Sequence, residues 1–330
     1  MTDSPRLMAI INPASGTASK QDADRIIKRM GEQYGYTMDI RFTTGPNDAT
    51  RLAREAIEKG YYGVIACGGD GTVNETATAL CGSSLVLGIV PLGSGNGLAR
   101  HINVPVNVRG AMRVIGENRV RNCDYATAND RPFFCTFGVG FDADVTEKFS
   151  HKSKRGLTRY LQATFDELIK YHSEDYTITT GDKVFSENAM LVACCNASQY
   201  GNNAYIAPQA SIKDGLLDIT VVHRGSPLKL AMAGFDILTG LVGKTANATT
   251  FRAKELTIVR RVAGPVHLDG EPAQMGQQIE VKCHHGELLI FTTARKSKYR
   301  RWLSPHIPIL SPMVLTVQDL LYKVRNLFKC

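Results

Sequence analysis

The sequence predicts a two-domain chain of the α/β class: a mostly parallel sheet covered by helices over residues 1–125, a β-rich domain over 126–293, and a basic, amphipathic tail over 294–330. Three observations predict it. Short apolar runs alternate with helical stretches through the first 125 residues, the pattern of strands buried on both faces. Two of those runs end in glycine-rich turns that lead into helices. After Cys123 the texture changes to short alternating strands with few helices.

The elements follow in order. Leu7–Ile11 reads as a strand stopped by Asn12-Pro13, Asp22–Tyr34 as a helix and Thr37–Phe42 as a second strand. Asn47–Lys59 is helical, with Leu52, Ala53, Ala56 and Ile57 on one stripe. Gly63–Cys67 and Leu85–Val90 are short buried strands, and Leu98–Ile102 is a helix. In the second domain the strands are Phe133–Gly138, Tyr176–Thr180, Met190–Asn196, Leu217–Val222, Glu255–Arg260, Pro265–Asp269 and Glu287–Thr292. Helices are expected at Thr158–His172 and Pro227–Leu241, and the apolar window Leu228–Gly243 reads as a buried helix too short to span a bilayer.

Composition narrows the class. The 330 residues are 43% hydrophobic and 21% charged, with no repeat and no low-complexity tract. The amino terminus lacks a basic region followed by an apolar run, so no signal peptide is expected. Eight cysteines without a CxxC pair read as free thiols in a reducing, cytoplasmic setting. The net charge of +8 clusters in His151–Arg159 and Arg295–Arg301. It attracts polyanions, but no RNP run, recognition helix or zinc finger accompanies it, and no nucleic-acid partner is expected.

Two turns carry the chemistry. Gly68-Gly69-Asp70-Gly71-Thr72-Val73-Asn74-Glu75 follows the strand GVIAC, and Pro91-Leu92-Gly93-Ser94-Gly95-Asn96-Gly97 follows LVLGIV. Glycines let the backbone approach a phosphate chain, and the N–H groups opening the next helix point at the anion. For the first turn alone, a plain helix start capped by Asp70 is about as good a reading. Two such turns on one sheet edge could grip one nucleotide from both sides. Other motifs fail on spacing: Gly243-Lys244-Thr245 lacks the upstream P-loop glycine, where Leu238 stands, and Leu92 excludes a GxSxG elbow at Ser94. Gly138-Val-Gly140-Phe-Asp-Ala143 reads as a strand-end turn. Asp269-Gly270-Glu271-Pro272 reads either as a hairpin turn or as two carboxylates on one strand face, roughly 7 Å apart.

Asn12-Pro13…Gly16, GGDGTVNE, PLGSGNGLAR, Gly138–Ala143, Ile206-Ala207-Pro208…Asp214-Gly215-Leu216 and Leu268–Pro272 together resemble the diacylglycerol kinase and sphingosine kinase superfamily, over about residues 7 to 293. Through GGDG the first domain also resembles NAD kinases. The resemblance implies a lipid kinase that uses ATP and Mg²⁺ on a lipid hydroxyl, diacylglycerol foremost, at a membrane surface, and it leaves a homodimer open. It implies an ATP site of Asn12, Thr43, Gly68, Gly69, Asp70, Gly71, Thr72, Val73, Asn74, Gly93, Ser94, Gly95 and Asn96, with Asp70 also holding the catalytic Mg²⁺. Thr43 is chosen by its spacing to Asp48, with Thr44 as its competitor. Glu271 is the implied general base, oriented by Asp269. Ser211, Asp214 and Leu216 match a structural Mg²⁺ site, against an ordinary Asp-Gly turn. Asp144 resembles an acid that faces a substrate amine in long-chain-base kinases, against a solvent-facing acid. An NAD kinase and a nucleotide-sensing module are the remoter alternatives. The tail combines Arg295, Lys296, Lys298, Arg300, Arg301 and Trp302 with an apolar stripe from Val317 to Phe328, the pattern of an interfacial helix.

Overall fold

The protein is described here from a computed structural model covering residues 4–15, 22–150 and 171–293. The expected helix over 158–172 falls outside these residues up to position 170, and the tail 294–330 lies outside them entirely.

The first half alternates β1 (Arg6–Ile11), α1 (Ala23–Gln33), β2 (Thr37–Phe42), α2 (Asp48–Glu58), β3 (Gly63–Gly68), α3 (Asp70–Leu80), β4 (Val86–Pro91), α4 (Gly97–His101) and α5 (Val108–Gly116). Strands β3 and β4 are buried at every residue. Both faces are covered by helices, which is why these strands read as unbroken apolar runs. The four strands pair in parallel in the order β2-β1-β3-β4, so the loops after β1, β2, β3 and β4 leave the same edge of the sheet.

The second half holds β5 (Val120–Ala128), β6 (Arg131–Phe133), β7 (Thr136–Gly140), α6 (Phe141–Ser150), β8 (Glu174–Thr180), β9 (Lys183–Cys195), β10 (Leu217–His223), α7 (Pro227–Thr239), β11 (Ala248–Ala253), β12 (Glu255–Arg260), β13 (Gly264–Leu268), β14 (Glu271–Met275) and β15 (Gln278–Phe291). Its pairings are antiparallel, and Phe133, Phe137, Val192, Ile219 and Ile258 form its core. β15 returns to the first domain and pairs with β4 in parallel, so one sheet runs through the molecule. Among the described residues no helix is long and apolar enough to cross a membrane.

Several expected boundaries move. Phe133–Gly138 is not one strand: β6 and β7 break at Phe134-Cys135, whose N–H groups leave the ladder to bind the Asp269 carboxylate at 2.9 and 2.7 Å. β9 and β15 begin well before Met190 and Glu287 because their first halves expose alternate polar side chains. β5, β11, β14, α5 and α6 were not anticipated. The strand-end turn at Gly138–Ala143 is the end of β7 running straight into α6. α7 is buried on one side only: Leu228, Met232 and Phe235 are 45%, 49% and 46% exposed.

Candidate active site

The two glycine turns meet backbone to backbone. Leu92 and Gly93 both donate their N–H to Gly68 O, at 2.7 and 3.1 Å. A β-carbon on Gly93 would stand 2.5 Å from Gly69 Cα, so only glycine permits this approach. The loop after β1 joins them: Asn12 Nδ2 donates to Thr72 Oγ1 at 3.2 Å, and Gly69 N–H to Ser15 Oγ at 3.3 Å. Thr43 follows β2 on the same edge, held by its N–H on Ile11 O at 2.9 Å. Its competitor Thr44 gives both its N–H and its hydroxyl to Asp48 Oδ2. Ser94 is exposed at the tip of the second turn, whereas Val73 packs into the sheet core. Val73 therefore belongs to the first turn by its backbone.

Asp70 is not a helix cap. The N-cap position of α3 is Gly69, and no side chain caps it. The Asp70 carboxylate instead reaches across to the second turn, where Oδ2 accepts Asn96 N–H at 2.8 Å and Oδ1 accepts Gly97 N–H at 2.7 Å. Burial pushes this carboxyl above the ordinary range, opposed by those two N–H groups, with Asp269 adding repulsion. Each oxygen accepts one of these N–H groups and has a further lone pair to offer.

Asp269 and Glu271 do not share a strand face. Asp269 (φ +52°) and Gly270 (φ +84°) form a two-residue hairpin turn between β13 and β14, with Leu268 paired to Glu271. Both turn residues need positive φ, which suits the Asp-Gly pair. The Asp269 carboxylate points inward and accepts four N–H groups, from Asn74 Nδ2, Phe134, Cys135 and Thr136, at 2.7–3.0 Å. Burial pushes its pKa up against those four donors. Asn74, expected at the phosphates, spends its amide on Asp269 and on Pro132 O. The turn thereby places exposed Glu271 against the first turn of α3: a β-carbon on Gly71 would stand 3.0 Å from Glu271 Oε1. A carboxylate at a helix N-terminus is favoured by the helix dipole.

Three residues near the site have roles the sequence did not show, although Glu75 and Asp142 lie inside the quoted motifs. Glu75 accepts Asn47 N–H at 3.0 Å and Ala49 N–H at 3.2 Å, capping α2 and fixing the loop after β2. Asp142 accepts Tyr200 OH at 2.8 Å and lies 3.0 Å from His267 Nε2, a cluster for which Gly138 leaves the room. Asp124, fully buried, accepts Gly215 N–H at 2.7 Å and Gly286 N–H and His285 Nδ1 at 2.8 Å. Their partners lie far off in sequence, so no local spacing marks them.

Ser211, Asp214 and Leu216 share one turn, where Asp214 Oδ1 accepts Leu216 N–H at 3.3 Å and Oδ2 stands 3.8 Å from the Arg252 guanidinium. A cation there competes with Arg252 for the single carboxylate, and no group of three His, Cys, Asp or Glu among the described residues could hold a metal. Asp144 lies on α6, half-buried. Burial raises its pKa against Lys148, and Glu174, Glu147 and Asp142 add repulsion.

Comparison with known proteins gives the family and the fold. Residues 6–128 match the family model of the diacylglycerol kinase catalytic domain, and 136–291 match the YegS C-terminal NAD kinase beta sandwich-like domain. A Pectobacterium atrosepticum protein named "Probable lipid kinase YegS-like" is 30% identical over 281 residues, 82% of this chain and 91% of its own. A protein of the same name from Chromohalobacter salexigens is 32% identical over 244 residues, 72% of this chain and 78% of its own. In fold, a Bacillus anthracis diacylglycerol kinase structure superposes with a TM-score of 0.71 at 22% identity, covering 89% of this chain and 98% of that one. An Archaeoglobus fulgidus NAD kinase solved with ATP superposes at 0.50 and 12% identity, over 90% of this chain and 96% of that one.

Proposed function

The chain belongs to the diacylglycerol kinase superfamily, among the YegS-like lipid kinases, and on that premise we propose that it transfers the γ-phosphoryl group of ATP to the hydroxyl of a lipid, diacylglycerol foremost. The observation that carries this reading is the meeting of Glu271 with the first turn of α3, beside the joined glycine turns.

The chain's own groups supply the following chemistry. The first N–H groups of α3 have no partner within the helix and face the edge where the nucleotide phosphates would lie. Asp70 and the Gly93–Gly69 contact hold the second turn against the first, which keeps the cradle rigid before ATP arrives. Glu271, exposed beside that cradle, takes the proton of the attacking hydroxyl. Asp269 acts through it, by fixing the turn that aims Glu271. Mg²⁺ fits the remaining acceptor capacity of Asp70, and when bound it neutralises phosphate charge. General-base catalysis contributes typically about 10²- to 10⁴-fold, positioning and electrostatics most of the rest.

A second reading, a long-chain-base kinase, is favoured by Asp144. Around it Glu174, Glu147 and Asp142 outnumber the one cation, Lys148, a balance that suits a further amine.

The test is turnover of labelled ATP with diacylglycerol, a sphingoid base and NAD in parallel. Phosphorylation of diacylglycerol, with Glu271→Gln lowering kcat at least about 10²-fold at nearly unchanged ATP affinity, is the expected result. Turnover confined to the amine-bearing base moves the assignment to the second reading. Near-normal turnover by Glu271→Gln removes the base from Glu271.

A further inference from the structure

Helix α7 is the one long apolar segment whose placement the sequence misjudged, and its exposed side needs an explanation. Residues 230, 233 and 237 face inward: Leu230, Ala233 and Ile237 pack on the apolar cluster that includes Phe141, Val145 and Tyr200. Tyr200 in turn borders the second glycine turn, its carbonyl carbon lying 3.5 Å from where a β-carbon on Gly97 would stand. At 3.6 residues per turn, positions 228, 232 and 235 share the opposite face. They hold Leu228, Met232 and Phe235, each nearly half exposed, and Leu241 just beyond the helix is 37% exposed. Single exposed apolar residues are ordinary, but a stripe of them along one helix is not.

The charges around the stripe identify its occupant. Arg224, Lys229 and Lys244 are all exposed in the same segment. Its one acid, Asp236, is buried and turned inward, accepting Thr245 Oγ1 at 2.6 Å and Asn247 Nδ2 at 2.9 Å. The acids nearest Arg224 are Glu187, 3.3 Å from His223, and Asp175, which binds the Asn188 side chain. The segment is therefore apolar along its crest, and its own exposed charges are all cationic. That is the complement of an anionic lipid surface, where apolar side chains enter the headgroup boundary and lysine and arginine meet the phosphates.

We propose that α7 docks the protein on an anionic membrane through Leu228, Met232 and Phe235, flanked by Arg224, Lys229 and Lys244. The proposal rests on the lipid-kinase reading for its purpose: the inner face of the same helix packs on the cluster that holds Tyr200, beside the second glycine turn, so docking on the outer face brings that turn near the surface that holds the acceptor.

The test uses the full chain and sedimentation with phosphatidylcholine vesicles, with and without phosphatidylglycerol. The wild type should bind the anionic vesicles and release at high salt. The triple variant Leu228→Ser, Met232→Ser, Phe235→Ser should bind at least about tenfold more weakly. Replacing Arg224, Lys229 and Lys244 with Gln should remove most of the salt dependence. Turnover of a vesicle-borne acceptor should fall in the triple variant, while turnover of a dispersed short-chain acceptor and Tm stay unchanged. Wild-type binding by the triple variant overturns the proposal. So does loss of binding on truncation after Thr293 alone, which assigns docking to the tail. A lowered Tm with loss of short-chain turnover also overturns it, since the stripe is then covered by the chain itself. Vesicle binding without phosphorylation of any lipid would instead sink the lipid-kinase reading and leave docking standing.

Discussion

Asp269 shows how one side chain converts a hairpin turn into part of a site. Its four hydrogen bonds all come from neutral N–H donors. Asp269→Asn keeps the shape but sets an NH₂ group against two of those donors, leaving buried groups unsatisfied. The expected cost is about 2–4 kcal/mol of stability, read as a lower denaturation midpoint at unchanged m-value. Because the turn also aims Glu271, kcat should fall with it, and a variant as stable as the wild type would contradict the bonding described. Gly93 makes a simpler case. Gly93→Ala forces a β-carbon to 2.5 Å from Gly69 Cα, so the two turns must separate, at about 1–3 kcal/mol. ATP affinity should fall as well. Gly45→Ala, where nothing lies within 4 Å, is the control and should change neither. The glycine turns were legible in the sequence because their information is local: glycines at fixed offsets after an apolar strand. The roles of Asp70, Asn74 and Asp269 were not, since Asp70 binds 26 and 27 residues away and Asp269 binds 195 residues from Asn74.

At the scale of elements, legibility followed burial. β1, β2, β3 and β4 are found within a residue of their expected bounds; β1, β3 and β4 are buried almost throughout and leave dense apolar runs, whereas β2, only partly buried, shows instead as alternating polar and apolar residues. β5 and the first halves of β9 and β15 were missed because they carry polar residues that break any apolar run, although Gly181-Asp182 turns the chain directly into β9. α4 shows what a short element contributes. It follows the second glycine turn directly, and its last residue, His101, accepts Ser198 N–H through Nδ1 at 3.1 Å. Burial lowers the His101 pKa from 6.5 to about 4, although the residue as a whole is not fully buried. The unfolded chain therefore binds a proton between pH 6.5 and 4 that the folded one refuses. Stability from this group is complete above pH 6.5 and is lost as the pH falls toward 4. The upper bound is about 3 kcal/mol, and partial exposure brings the expected loss nearer to about 2. Asp39, Asp48 and Glu55 are held below the ordinary carboxylate range, so their contributions disappear only at lower pH. Asp70 and Asp269, raised by burial, act in the opposite sense in both proteins, so from pH 7 to 4 the urea midpoint should fall less in His101→Gln than in the wild type. An equal slope in both proteins would show that His101 does not titrate as buried.

The molecule as a whole is tied together by a ribbon. β5 and β15 pair antiparallel across a bulge between His284 and Leu288. On β15, Ile279, Val281 and Cys283 enter the second core, whereas Leu288, Ile290 and Phe291 enter the first. On β5, Cys123 belongs to the first core and Ala126 and Ala128 to the second. Asp124 sits between, binding Gly286 and His285 at the bulge and Gly215 opposite. The apparent division of the sequence near residue 125 is thus a division of texture, with the last strand crossing back over it. A sequence read from left to right cannot anticipate that return, because half of β15 matches each domain. The energetic consequence is that the two cores should unfold together. Leu288→Ala empties a fully buried site in the first core, at a cost of about 2–5 kcal/mol. If the ribbon couples the cores, hydrogen exchange of the slowest amides should accelerate equally in both, Ile65 and Leu87 in the first and Ile178 and Ile258 in the second. Independent domains predict a different pattern: faster exchange at Ile65 and Leu87, with Ile178 and Ile258 unchanged. Asp124→Ala should separate the two cases further. It leaves the Gly215 and Gly286 N–H groups without their acceptor at the crossing point, so in that background Leu288→Ala should lose part of its effect on the second core.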